Sequence, residues 1–409
     1  MRVAIRSGIE EIGLDVRDDC LVELCGGTPS RAIEDVAGAV TEAIESPIAF
    51  PALRHAIVSG DHVAIVLDRG IPRPADVLGP VLECLADAGV QRHDTWIVEI
   101  PPADPRNALP PDGVPPEIRL VQHDPLDRNR LSYLASTKAG TRVYLNREVV
   151  DADLVVLVGR VDYDPILRYR GTASSVFPGL ADAAAQQVFR SQISKPITAN
   201  SQIAARQESD EVAWLLGVQF AVQVVIGQHN EIVAVLAGHG PDVQREAQRS
   251  LDSCWKQTAP RRVDLVIAAI GGAPQRQGFD ELGAALESAA KLVQEGGHVA
   301  VLSAIDAEPG KTLQTARQLQ DSAKALEHVR RHPNEDAIST WQIVRCCQNT
   351  RMYLKSRLAD ELVEDLGMTP VASAAEVQRL VNQATSCIIL KDAELARVSV
   401  EGEDEKPTS

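Results

Sequence analysis

The feature that most constrains this chain is an alternation: apolar runs of strand length end in turns, and amphipathic stretches of helical period follow them. HVAIVLD (62–68) precedes a Pro-rich turn and the helical pattern DVLGPVLECLADAG (76–89), and TWIVEI (95–100), IRLVQHD (118–124), the DADLVVLVGR run ending at Arg160 and VQFAVQVVIG (218–227) continue the series. Runs that are apolar throughout suit strands covered on both faces, and their alternation with helices predicts βα units in a mainly parallel sheet. Aromatic residues are only 3% of the chain, so the cores must be filled by Val, Leu, Ile and Ala.

A hairpin-like return, EIVAVLAG (231–238), leads into a polar helix over 241–257 and a polar joint, TAPRR (258–262), after which βα units restart with VDLVIAAIGG (263–272). The second series continues through a helix over 279–295, HVAVLSA (298–304), helices near 312–329 and 335–347, MYLKS (352–356), helices near 359–366 and 374–384, and CIILKD (387–392). The expected fold class is therefore α/β with two domains, each a mainly parallel sheet flanked by helices, and a cleft between them. Residues 1–258 form the expected N-terminal domain, 259–393 a smaller α/β C-terminal domain, and the acidic 394–409 a disordered tail. The Pro-rich stretch 101–116 reads as a long loop of the kind often used for function.

The charge balance narrows the partners. With 41 Lys and Arg against 57 Asp and Glu, the formal net charge is -16, which repels nucleic acid. The N-terminus is interrupted by charges unlike a signal peptide, and no run is long and apolar enough for a membrane span, so the expected location is cytoplasmic. Seven scattered cysteines without paired spacing read as reduced thiols, and Cys346 and Cys347 in WQIVRCC as small residues of a buried helix.

Three stretches carry candidate chemistry. IVLDRGIPRP (65–74) places Asp68, Arg69 and Arg73 where a strand ends, the position at which open α/β sheets bind ligands. A rigid strand-to-helix connection with solvated charges is the plainer alternative. Gly271 and Gly272, with Pro274, end the first strand of the second series and either let backbone approach a phosphate or make a tight turn; the full G-x-G-x-x-G pattern is absent. VDYDPILRYRGTASSVFPGL (161–180) has little periodicity but carries Asp162, Asp164, Arg168, Tyr169, Arg170 and Ser174, reading either as a site or as a surface Ω-loop.

Taken in order, these stretches resemble the nickel-pincer-nucleotide lactate racemase family over nearly the whole chain. The resemblance is most specific through HDPLDRNRLSYLASTKAGTRVYLNREVVDADLVVLVGR (123–160), which carries the family's HDP, L-x-Y-L, G-T-x-V-Y-x-N and ADLV pattern. It implies a two-domain α/β enzyme with a nickel pincer cofactor, tethered through a lysine thioamide and a histidine, and two further histidines as general acid and base.

The residues that would perform this chemistry differ. Ile71 stands where the resemblance places a substrate-binding arginine, Asp164 where it places a catalytic histidine, and Ser174 where it places the tethering lysine. No lysine occurs between Lys138 and Lys195, and no histidine between His93 and His123 or between His123 and His229. In the second series Asp280, Glu281 and Ala284 replace the family's Tyr-Gln and lysine. The expectation is a lactate racemase-like protein that is catalytically degenerate, with no bound cofactor or metal and a retained or repurposed cleft for a small anionic ligand. Arg69, Arg73, Arg168, Arg170, Ser174, Gly271 and Gly272 are the cleft candidates. The alternatives are an active isomerase using Asp68, Asp164 or Tyr169 for proton transfer, and a non-enzymatic subunit or regulator.

Overall fold

The computed structural model describes residues 1–403 apart from 9, 102–113 and 320. Two compact units are present, one made of Ser30–Phe189 and Thr198–Ser253, the other of Met1–Pro29, Arg190–Ile197 and Cys254–Ser409.

The first unit is built on a six-stranded sheet in the order Ile232–His239, Phe220–Ile226, Leu154–Arg160, Val63–Leu67, Thr95–Glu99, Arg119–Gln122. All neighbours are parallel except the edge hairpin, in which Ile232–His239 returns antiparallel along Phe220–Ile226 as the short 231–238 run suggested. Side chains alternate across a strand, and Val63–Leu67 shows why a continuous apolar run was needed. Val63, Ile65 and Leu67 enter one core with the helices Val36–Glu45 and Pro74–Asp87. Ala64 and Val66 enter the opposite core with Val212 and Ala213 of the helix Ala199–Leu216. All five residues are buried. At about 25 cal/mol per Å² of apolar surface removed from water, this two-sided burial is the main force that selects the strand.

Chain order fixes where such a sheet binds ligands. From the central Val63–Leu67 the chain moves outward to Thr95–Glu99 and Arg119–Gln122, then crosses back to Leu154–Arg160 on the other side. The strand order reverses between Val63–Leu67 and Leu154–Arg160, so the switch point, where open α/β sheets place ligands, lies at their carboxyl ends. Asp68–Gly70 and Arg160–Asp162 emerge there.

In the other unit, six parallel strands run in the order Thr369–Pro370, Arg351–Lys355, Val293–Leu302, Val263–Ala269, Cys387–Leu390, Leu21–Cys25. The N-terminal segment therefore departs from the expected 1–258 domain: Leu21–Cys25 closes the sheet edge beside Cys387–Leu390, and the hairpin of Arg2–Ser7 with Glu10–Asp15 packs Val3, Ile5, Ile12 and Leu14 into the same unit's core. Later in the sequence the chain passes from the first unit to the other between Ser253 and Cys254. The expected tail also begins later than residue 394. Arg397–Val400 is a strand parallel to Lys256–Ala259, with Val398 and Val400 buried in the core; residues 404–409 lie outside the described residues. The single helix expected near 312–329 is two, Lys311–Gln318 and Ser322–Arg331, because the Asp321 carboxylate caps a new N-terminus by accepting from the Ala323 and Lys324 amides.

All seven cysteines are free thiols. Cys346 and Cys347 lie on the helix Ala337–Asn349 at intermediate exposure against the core, and burial pushes both thiols up, Cys347 to about 12. No helix among the described residues is long and apolar enough to cross a membrane. Most of the Pro-rich 101–116 loop lies outside the described residues.

Candidate functional site

The stretch 161–180, without clear period in the sequence, is a tight hairpin of Asp162–Asp164 with Arg168–Arg170, followed by the short helix Ala173–Val176. It follows directly on the carboxyl end of Leu154–Arg160 and carries half of the candidate residues: Asp164, Arg168, Tyr169, Arg170 and Ser174.

At its base is a charge trio. The Asp162 carboxylate accepts from Arg160 Nε at 2.5 Å and Nη2 at 2.7 Å, and from Arg170 Nε at 3.0 Å and Nη2 at 2.7 Å. Arg160 Nη1 donates to the Gly70 carbonyl at 3.0 Å, joining the two sides of the switch point. The side chains of Arg160, Asp162 and Arg170 are 16%, 11% and 19% exposed, so these are desolvated, charge-assisted bonds. Burial alone would raise the Asp162 pKa; the two guanidiniums overcome it and hold the carboxylate below its usual range. Arg170 also feels the charges of Asp68 and Asp164.

Asp164 is placed differently. Its Oδ1 accepts from the backbone amides of Ile166 at 2.8 Å and Leu167 at 2.7 Å, closing the hairpin turn. Desolvation nevertheless pushes this carboxyl up, with the two amides, Arg170 and Arg69 acting in opposition. Tyr169 is buried, and its hydroxyl donates to Asp252 on the helix Gly240–Trp255, at 2.8 Å from Oδ2, while Tyr163 donates to Oδ1 of the same carboxylate at 2.9 Å. The two phenols thus clamp the hairpin to that helix. Arg168 has a left-handed φ of 67° and lies 5.8 Å from the Tyr169 ring centroid.

Gly171 joins hairpin to helix with φ 127°, and a Cβ there would stand 2.6 Å from Gln223 Oε1 and 2.9 Å from Gln244 Oε1. Glycine is required on both counts. Ser174 follows one turn later, and its hydroxyl accepts from the Gly171 amide at 2.8 Å. Beneath them Gln223 is fully buried, and neither end of its side-chain amide has a hydrogen-bond partner.

The remaining candidates scatter. Asp68 is buried and accepts from the Arg69 amide at 2.8 Å, whereas Arg69 is exposed and makes no ion pair among the described residues. Arg73, also left-handed, is exposed and paired with Asp76 at 2.5 Å. Ile71 is 5% exposed in the core beside the helix Pro74–Asp87. Gly271 and Gly272 belong to the other unit. The Gly271 amide is taken by the Glu394 carboxylate, at 3.1 and 3.2 Å, and burial together with the Asp392 carboxylate pushes Glu394 up to about 8. Among the described residues no three or more His, Cys, Asp or Glu side chains are grouped to hold a metal ion.

Sequence reasoning missed Arg160, Gln223 and Asp252 as working parts. Two of them had a signal: Arg160-x-Asp162 directly after a fully apolar strand puts both side chains on one face of an extended segment. Gln223, polar within FAVQVVI, was a second signal of the same kind.

An open α/β sheet with a charged hairpin at its switch point defines a structural class, the mainly parallel α/β sheets with a reversal of strand order. Within that class, residues 8–196 match the family described as the lactate racemase N-terminal domain. A lactate racemase from Thermoanaerobacterium thermosaccharolyticum is 19% identical over 292 residues, spanning 67% of this chain and 68% of the relative. The structure of the lactate racemase apoprotein from the same organism matches with a TM-score of 0.80 at 17% identity, over 97% of this chain and 100% of that one. A protein structure from Thermotoga maritima matches with a TM-score of 0.66 at 10% identity, over 90% and 98% of the two chains. The chain thus resembles the lactate racemase N-terminal domain over residues 8–196 and shares the lactate racemase fold.

Proposed function

We propose that this lactate racemase-like protein does not carry out pincer-dependent racemisation and instead binds a small anionic ligand at the switch-point hairpin. The observation that carries the reading is that the side chains standing at the family's reactive positions are engaged by their own loop. Ser174 Oγ bonds the Gly171 backbone, and a hydroxyl offers no amine for a thioamide tether. Asp164 closes a turn through two backbone amides. A carboxylate there is a different acid–base group from an imidazole, and a guanidinium such as that of Arg170 cannot lose its proton to ligate nickel. The residues present do not fit the family cofactor, and no reaction step is drawn through it.

For the anion, Arg160 and Arg170 are neutralised by Asp162, which leaves the exposed Arg69, next to Asp68 at the strand end, as the guanidinium to attract it. Calorimetric titration with D-lactate, L-lactate and inorganic phosphate tests this reading. Binding that weakens in Arg69→Ala supports it, and no heat from any of the three ligands contradicts it.

A second reading, an isomerase with altered proton-transfer groups, draws on one observation: burial raises the Asp164 carboxyl, as general-base chemistry near neutral pH requires. Tyr169 is less suited, since its hydroxyl already donates to Asp252. If 2-hydroxy acids are interconverted, Asp164→Asn must abolish the turnover; retained turnover removes Asp164 from the mechanism.

A further inference from the structure

Beside the helix Pro74–Asp87 of the first unit lies a groove of about 440 Å³, a volume within the range of small-molecule sites. One side of it is a stripe of that helix, Ala75, Leu78, Gly79, Leu82 and Ala86. At spacings of three and four these residues share a face, and from Ala75 to Asp87 the stripe is about 18 Å long at the helical rise per residue. Val90 and Ile118, both buried, supply more of the apolar lining. The stripe departs from what helix stability alone would select. Gly79 and Pro80 lie in the helix interior, where both are poor helix formers. A Cβ on Gly79 would meet nothing within 4 Å beyond its own helix, so glycine there keeps the groove open and does not serve to admit a close neighbour.

Charge is concentrated toward the carboxyl end of the helix. Glu83 and Asp87 line the groove there, exposed and four residues apart on one face, and neither makes an ion pair among the described residues. Like charges at that spacing repel. They also stand at the negative end of the helix dipole, with no basic residue in the last turn to offset them. Arg92, the cation on the rim, is already paired with Glu117 at 3.5 Å. The groove is therefore apolar along its length and unneutralised at its acidic end.

We propose that this groove binds an elongated amphipathic cation, an alkyl chain bearing one ammonium group, with the chain along the Ala75–Ala86 stripe and the ammonium at Glu83 and Asp87. The chain and the stripe remove apolar surface from water together, and the ammonium offsets both carboxylates and the helix end. A carboxylate on the same chain would meet that negative end and be repelled. The inference does not depend on the reading of the hairpin. The groove reaches Thr95, at the amino end of the strand Thr95–Glu99, whereas the hairpin follows the carboxyl end of Leu154–Arg160.

The test is calorimetric titration of the full chain at pH 7.5 with n-octylammonium and with octanoate, which share a chain length and differ in the charge of the head group. Wild type is compared with Gly79→Leu and with the double variant Glu83→Gln, Asp87→Asn. The expected result is one octylammonium bound with a Kd below about 1 mM, and octanoate at least about tenfold weaker. Gly79→Leu should abolish octylammonium binding, because the new side chain fills the groove while improving helix propensity. The double variant should weaken octylammonium at least about tenfold. Circular dichroism checks that both variants fold; the double variant changes only exposed side chains and decides the matter if Gly79→Leu misfolds. No saturable octylammonium binding, binding unchanged in the double variant or in folded Gly79→Leu, or octanoate bound as tightly as octylammonium overturns the proposal.

Discussion

Replacing Asp162 with Asn keeps the shape of the side chain and removes the charge that holds Arg160 and Arg170 together. Both guanidiniums would remain, facing one another with side-chain exposures of 16% and 19%. Breaking a buried pair by deleting one partner costs about 3–5 kcal/mol, chiefly through the uncompensated charge left behind. Asp68 and Asp164 still offset part of the Arg170 charge, so the loss belongs at the lower end, about 3 kcal/mol. Urea denaturation at pH 7, followed by a probe in this unit, measures it, and the double variant Asp162→Asn with Arg170→Gln should recover part of the loss. The pH dependence gives an independent sign. Because the folded Asp162 pKa lies below the unfolded value of about 3.9, its contribution is complete above that pH and disappears as pH falls through the depressed folded value. Wild type and Asp162→Asn should therefore converge in strong acid. A loss below about 1 kcal/mol at pH 7, the range of an exposed ion pair, would refute the claim that the trio is desolvated and mutually dependent.

Asp164→Asn should behave oppositely: its folded pKa is raised, so the charged form is the costly one, and the variant should match or exceed wild-type stability at pH 7, with any gain vanishing as pH falls below the folded value. Urea titrations at several pH values check this. Glu394→Gln should likewise stabilise most above about pH 8, where the wild-type carboxyl must ionise beside Asp392, and the difference should shrink as pH drops toward the unfolded value. Gly171→Ala combines a φ of 127° with a Cβ 2.6 Å from Gln223 Oε1, whereas Gly140→Ala, at φ 83°, meets nothing within 4 Å; the first should cost clearly more than the second, which carries only backbone strain of about 1 kcal/mol. Tyr169→Phe should lose about 1.5–3 kcal/mol as a buried hydroxyl bond to a carboxylate disappears, measurable in the same denaturation series.

Much of the fold was legible because two-sided burial writes itself directly as apolar runs: Val63–Leu67, Leu154–Arg160 and Phe220–Ile226 were each readable as strands. What local pattern could not show was long-range pairing. Leu21–Cys25 is ordinary in sequence, and its place beside Cys387–Leu390 follows from a partner more than 360 residues away. Arg397–Val400 was hidden for the same reason, since its acidic surroundings looked tail-like until paired with Lys256–Ala259. At the site, the sequence marked the 161–180 stretch as a candidate but showed neither its hairpin nor how charges partition. Arg170 and Arg73 read as equal anion-binding candidates, yet one is locked to Asp162 within the structure and the other pairs with Asp76 at the surface. Such distinctions depend on distances that only the folded chain sets.

The central claim, that the switch-point hairpin has lost the pincer chemistry, is tested most directly by one paired measurement. The full chain, produced in cells that make the nickel pincer cofactor, is analysed for nickel and incubated with enantiopure lactate, whose handedness is followed by chiral chromatography. We expect no stoichiometric nickel dependent on Ser174 or Asp164, and lactate that keeps its configuration. Nickel at one equivalent, lost in Ser174→Ala or Asp164→Asn, together with conversion of L-lactate to its mirror image, would contradict the account.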